Sequence, residues 1–131
     1  MRIGVCDDSA TDRRMIKGWI VSNVPGIKKN DVIEFQNGWM LLDYLAHNFL
    51  DILCLDYMMQ EINGIDTLRA IRADAGDVLV MLISNYLEYA HYCVEFNIFR
   101  YLLKPTFPGQ APDAFRKAII ASQQNEKILI G

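Results

Sequence analysis

Five short apolar runs alternate with five stretches of helical periodicity along this chain of 131 residues. The runs lie at about Arg2–Cys6, Val32–Phe35, Ile52–Leu55, Val78–Ile83 and Arg100–Leu103. Ile52–Leu55 and Val78–Ile83 are apolar at successive positions, the pattern of strands covered on both faces. Between the runs the apolar period changes to that of a helix. Met15, Ile16, Trp19 and Ile20 share one face, as do Leu41, Leu42, Leu45 and Ala46. Ile65, Leu68 and Ile71 mark a third helix, Tyr89, Ala90, Cys93 and Val94 a fourth, and Phe115, Ala118, Ile119 and Ser122 a fifth. Ser9, with Asp12 three residues on, is the expected N-cap of the first helix, and Pro25-Gly26 closes it. Asn37-Gly38 and Asn63-Gly64 read as turns, and Thr106–Pro112, with two of the four prolines, as a loop. Such alternation with short links predicts one α/β domain built on a doubly wound parallel sheet, with helices on both faces. Residues 125–131 read as a fraying helix end or the start of a linker.

Composition narrows the classes. A chain of this length suits one domain that buries roughly two-thirds of its unfolded surface without staples. Hydrophobic residues are 52% and charged ones 22%, and the net charge of −3 offers no basic footprint for nucleic acid. Three cysteines without CxxC spacing argue against a disulfide framework and fit a reducing, cytoplasmic setting. Acidic residues arrive by Asp7, so no signal peptide is read, and no apolar stretch approaches the ~18 residues of a membrane span.

The chemistry gathers at strand ends. Asp7-Asp8 follows the first strand, Asp56 ends the third, Ser84 follows the fourth and Lys104-Pro105 the fifth. In an open parallel sheet ligands bind beyond the carboxyl ends of the strands, at the topological switch point. If the first and third strands are neighbours, the three carboxylates cluster, and like charges that close call for a cation or a proton. Hard oxygen donors without His or Cys suit Mg²⁺ or Mn²⁺. A nearby ammonium and hydroxyl add donors for a phosphoryl group, and the set supports attack by a carboxylate on phosphorus. His47 and His91 lack partners at ligand spacing and read as surface or packing residues, and Trp19 and Trp39 as partly buried packing residues.

Taken together, Asp7-Asp8, Asp56, Ser84 and Lys104-Pro105 resemble the receiver domain of two-component response regulators, over about residues 1–124. The resemblance implies a flavodoxin-like (CheY-like) α/β/α fold with strand order 2-1-3-4-5 and five helices. It implies Asp56 as phosphoacceptor, Asp7, Asp8, Asp56 and the backbone carbonyl of Met58 as metal ligands, Ser84 as switch hydroxyl, Tyr101 as switch aromatic and Lys104 as the phosphoryl contact. It also implies a cis Lys104–Pro105 bond. The implied partners are a sensor histidine kinase and a second copy, met through the fourth helix, fifth strand and fifth helix. No enzyme activity is implied beyond self-phosphotransfer and self-dephosphorylation.

The segments Phe35-Gln36-Asn37-Gly38, Asn63-Gly64-Ile65-Asp66, Leu87-Glu88-Tyr89-Ala90 and Tyr101-Leu102-Leu103-Lys104-Pro105 resemble receivers joined to LytTR-type DNA-binding domains. An effector domain is therefore expected to follow residue 131, with control of transcription as the output. The chain departs from the family pattern at Gln60, where Pro is usual and whose loss would loosen the loop after Asp56, and at Asn85, often Ala. Tyr86 could cover the site. A haloacid-dehalogenase-type phosphohydrolase would want a second Asp where Met58 stands, and a flavodoxin-like FMN carrier would want a phosphate loop where Asp7-Asp8 repels phosphate. A degenerate receiver that only binds protein would not need so complete a site.

Overall fold

The computed structural model describes residues 1–74 and 77–130, the last six through their backbone alone. Five parallel strands form one sheet: β1 (Ile3–Cys6), β2 (Val32–Phe35), β3 (Ile52–Asp56), β4 (Leu79–Ser84) and β5 (Arg100–Leu103). Their order is β2-β1-β3-β4-β5, the flavodoxin-like order expected. The helices are α1 (Ala10–Asn23), α2 (Gly38–Leu45), α3 (Gly64–Asp74), α4 (Tyr92–Glu95) and α5 (Phe107–Ile130).

Every residue of β1, β3 and β4 is buried, which is why the middle runs carry no polar alternation. Successive side chains still go to opposite faces. Ile52, Cys54, Met81 and Ile83 join a core with Ile16, Ile20, Phe107 and Phe115 of α1 and α5. Leu53, Leu55, Val80 and Leu82 join a second core with Leu41, Leu68 and Ile71 of α2 and α3. The first helix starts as its residues predict, with Ser9 Oγ accepting from the Asp12 amide at 3.2 Å.

Four expectations change. The predicted loop Thr106–Pro112 is helix from Phe107 onward, entered through a 3-10 turn at Lys104–Thr106. Prolines 105 and 108 stand where a helix begins and an N–H has no helical partner to lose. Phe107, Ala111, Ala114, Phe115 and Ala118 bury one face, with the Trp19 ring 5.6 and 5.4 Å from those of Phe107 and Phe115, and this burial outweighs the bond lost at Pro112. The Lys104–Pro105 bond is trans, and the fixed φ of Pro105 suits the turn it opens.

The fourth helix shrinks to four residues after a separate 3-10 turn at Leu87–Tyr89, and Val94 is 92% exposed. No side chain caps either piece, and Asn97 at φ 54° turns the chain back toward β5. Finally, Met15 and Trp39 are exposed. The buried stripe of α1 runs through Arg13, Ile16 and Ile20, one position off the expected face, while α2 buries Leu41, as expected, together with Gly38.

Gly64 opens α3 directly against the phosphoacceptor candidate. Its amide donates to the Tyr57 carbonyl at 2.9 Å. An added Cβ would lie against the Asp56 carbonyl and 2.9 Å from Tyr57 Cα, both backbone atoms that cannot yield cheaply. Gly18 is the opposite case: exposed in α1, with nothing within 4 Å of an added Cβ. Thermal melts are therefore expected to show Gly64→Ala destabilised by about 1–3 kcal/mol through overpacking. Gly18→Ala is expected to be stabilised by about 0.5–1 kcal/mol through helix propensity.

Candidate functional site

The pairing of β1 with β3 sets Cys6 beside Leu55, so Asp7 and Asp56 emerge together at the carboxyl edge of the sheet. Carboxylate oxygens of Asp7, Asp8 and Asp56 all lie within 4.8 Å of one another. Asp7 and Asp56 are buried and Asp8 is exposed. Asp56 pairs with Ile83 of β4, so Ser84, fully buried, follows one position on.

Lys104 crosses from the end of β5 into this cluster. Its Nζ stands 2.9 Å from Asp7 Oδ2, 2.8 Å from Asp12 Oδ2 and 3.5 Å from Asp56 Oδ1. Burial works to lower the pKa of this ammonium, but the hydrogen bond to Asp12 and the neighbouring carboxylates of Asp7 and Asp56 prevail and raise it. The Asp56 carboxyl is pushed up to about 7, first by burial and then by the charge of Asp7, against the pull of Lys104. One lysine does not balance the cluster.

Asp7 Oδ1 accepts from the Ser9 amide at 2.9 Å, while the buried Oδ2 has the nearby ammonium but no well-directed hydrogen bond. A buried oxygen so placed, with two more carboxylates beside it, fits a hard divalent cation. Cys6 lies under the cluster with Sγ 3.6 Å from Met59 Sδ. Burial, with Asp7 and Asp56 adding to it, pushes its thiol up to about 12, and burial does the same to Cys54, so both are inert as nucleophiles.

Two residues of the site escaped the sequence reading in that role. Asp12 read only as a partner in capping, yet it shares Lys104 across 92 positions. Arg13, nearly buried, donates from Nη1 to the Asp7 carbonyl at 2.8 Å and from Nε to Glu34 Oε1 at 3.1 Å, fixing the backbone that carries Asp7. The available signal was the spacing from Ser9, which sets Arg13 one turn into α1 on its core side.

Gln60 also acquires a role. Its amide donates to Asp8 Oδ2 at 3.2 Å, a bond that a proline at this position cannot make. The loop after Asp56 is thus tied to Asp8 rather than simply loosened. Met58 lies in that loop, exposed, its Sδ 3.8 Å from the Tyr89 hydroxyl.

Ser84 Oγ accepts from the Tyr86 amide at 3.1 Å, and the Tyr101 hydroxyl donates to the Tyr86 carbonyl. Tyr101 is therefore already fastened to the loop after β4. Burial raises the pKa of its phenol, and a hydrogen bond with Ser84 works the other way. His47 and His91 are exposed, His91 Nδ1 lying 2.9 Å from the Glu88 carbonyl, and neither reaches the cluster.

Residues 3–116 match the family described as the response regulator receiver domain. The chain is 31% identical over 110 residues to a protein-glutamate methylesterase/protein-glutamine glutaminase of Treponema denticola, covering 81% of this chain but 29% of that protein. The chain thus spans under a third of the length of that relative. It is 30% identical over 115 residues to the chemotaxis protein CheY1 of Helicobacter pylori, covering 82% of this chain and 88% of that one. The response regulatory domain of mrkE from Klebsiella pneumoniae shares the fold, with a TM-score of 0.81 at 22% identity over 95% of this chain and 99% of that domain. With the strand order, the acidic cluster and the family match in agreement, this chain belongs to the response regulator receiver domains.

Proposed function

We propose that Asp56 accepts a phosphoryl group from the phosphohistidine of a sensor histidine kinase. The observation that carries this reading is the convergence of three carboxylates within 4.8 Å at the end of β3, with the Lys104 ammonium 3.5 Å from Asp56. A carboxylate oxygen of Asp56 attacks phosphorus, the P–O bond forms as the P–N bond breaks, and the imidazole nitrogen leaves with the electron pair. Asp7, Asp8, Asp56 and the Met58 carbonyl would hold Mg²⁺ or Mn²⁺, which when bound neutralises charge on the phosphoryl oxygens. Asp7 and Asp12 keep Lys104 charged and aimed at the same space. Ser84 contributes a hydroxyl proton, because its oxygen can accept from Tyr86 and still donate to a phosphoryl oxygen.

The output surface is α4, β5 and α5. Tyr101 links it to Ser84 through the loop after β4, and Leu87 and Val94 put exposed apolar area there, which suits dimerisation. The LytTR-like segments favour a DNA-binding effector, and hence transcription, as the output of a receiver unit at residues 1–124. The three free thiols fit a reducing cytoplasm. Among the described residues no helix is long and apolar enough to cross a membrane.

Incubation with Mg²⁺ and acetyl phosphate should add one phosphoryl group by intact mass, and Asp56→Asn should add none. A gain that survives in Asp56→Asn would sink the assignment.

The pKa of Asp56 yields a second expectation. Its folded value of about 7 lies above its ordinary 3.8, so between those values the folded chain keeps a proton that the unfolded chain has lost. The stability cost of ionising Asp56 is absent below about pH 4, grows through that window and is complete above about pH 7. In EDTA at pH 8, Asp56→Asn should melt higher than the wild type, by up to a few kcal/mol at about 1.4 kcal/mol per pKa unit. The gain should fade as pH falls toward 4, and Mg²⁺ at pH 8 should raise the wild-type Tm more than that of the variant.

A further inference from the structure

Ser84 and Tyr101 are not the only connection between Asp56 and the α4 surface. The ring of Tyr57, the residue next to Asp56, lies flat on the ring of Tyr89, with centroids 3.7 Å apart and planes within 10°. The Tyr89 hydroxyl meets Met58 Sδ at 3.8 Å, so two successive residues of the loop after β3 are fastened to one side chain. Tyr92 also stacks with Tyr57, centroids 6.1 Å apart, and Tyr86 and Tyr89 meet edge to face at 6.1 Å.

The segment carrying these rings meets the core only through partly buried side chains, Tyr92, Cys93 and Phe96. Its 3-10 turn and its four-residue helix contain no buried residue and no side-chain cap. At its other end Arg72 of α3 donates to the carbonyls of Phe96 and Asn97. The segment is thus strapped at both ends to the β3–α3 unit, while its own local stability is low. A weakly anchored element follows whatever its tethers do.

Resting on the reading of Asp56 as phosphoacceptor, we propose that the Tyr57–Tyr89 stack is a latch that carries the state of Asp56 to residues 87–97, independently of the route through Ser84 and Tyr101. The loop after β3 also sends the Gln60 amide to Asp8 Oδ2, and a shift there displaces the Tyr57 ring. The stacked ring then moves Tyr89 and, with it, α4. Tyr57 and Tyr89 are positioning residues, since neither touches the reacting atoms.

The test is amide hydrogen exchange with and without beryllofluoride plus Mg²⁺, binding being followed by ¹⁹F NMR. In the wild type the probe should change protection across residues 87–97 by about fivefold or more, the range of a typical coupling. In Tyr57→Leu the same amides should respond by less than about twofold, while amides around Ser84 still respond and report an intact site. Tyr57→Phe keeps the stack and should keep the full response. Tyr57→Leu and Tyr89→Leu should not add in the double variant, because they break one contact. A bound-probe resonance with an undiminished response at 87–97 in Tyr57→Leu overturns the latch alone. No bound-probe resonance in the wild type overturns the phosphoacceptor reading, and the latch with it.

Discussion

The parallel pairing of β1 with β3 forces Asp7 and Asp56 together, and most of the surrounding structure answers that constraint. Two buried carboxylates beside a third are held apart from water at a cost that burial alone would make prohibitive. Lys104 reduces the cost, and its reach depends on β5 ending where it does. Arg13 bonds to the Asp7 carbonyl, and the Ser9 amide to one Asp7 oxygen, so the Asp7 backbone cannot turn the side chain outward. What remains is an excess of negative charge that only a proton or a cation can relieve. A site left unbalanced in this way is ready for a ligand, because bringing in a divalent ion removes repulsion as well as adding contacts.

The sheet carries that repulsion because it is stiff. β1, β3 and β4 are buried along their whole lengths and pack on both faces, so Asp56 rides on a strand that cannot shift without opening two cores. Asp8, exposed, is held from the far side of the site by the Gln60 amide. The five groups Asp7, Asp8, Asp56, Ser84 and Lys104 thus come from the ends of β1, β3, β4 and β5, consecutive in the sheet and spaced by backbone pairing, and precision at the site follows from main-chain geometry.

Much of this was legible in the sequence for the same reason. Continuous apolar runs identify central parallel strands, and acidic residues just past them must lie at one edge, so Asp7, Asp8, Asp56, Ser84 and Lys104 could be grouped before any coordinates. Asp12 and Arg13 were harder. Asp12 meets Lys104 across 92 positions, and Arg13 meets Glu34 of β2 and the Asp7 carbonyl once α1 packs on the sheet, contacts on which local spacing is silent. The α5 entry misled for a different reason. Two prolines and a glycine mark a break in any local reading, but a buried face containing Phe107 and Phe115 decides the matter through tertiary packing. In the fourth helix the failure ran the other way: Cys93 packs against the second core only partly buried, and Val94 beside it stays in solvent.

Stiffness at the site has a consequence for signalling. A strand packed on both faces cannot itself carry a change in charge to the surface, so the message must leave through the loops at its end. Two loops adjoin Asp56, and each ends in tyrosine contacts: Tyr86 with Tyr101 after β4, and Tyr57 with Tyr89 after β3. Aromatic pairs suit this use because they hold by broad area at about 0.5–1.5 kcal/mol beyond burial, strong enough to couple two segments yet weak enough to exchange. They adjoin residues 87–95, whose two helical turns contain no buried residue. On the proposed reading, the contrast between a rigid site and a loosely held reporter would let a change of charge at Asp56 become a change of surface.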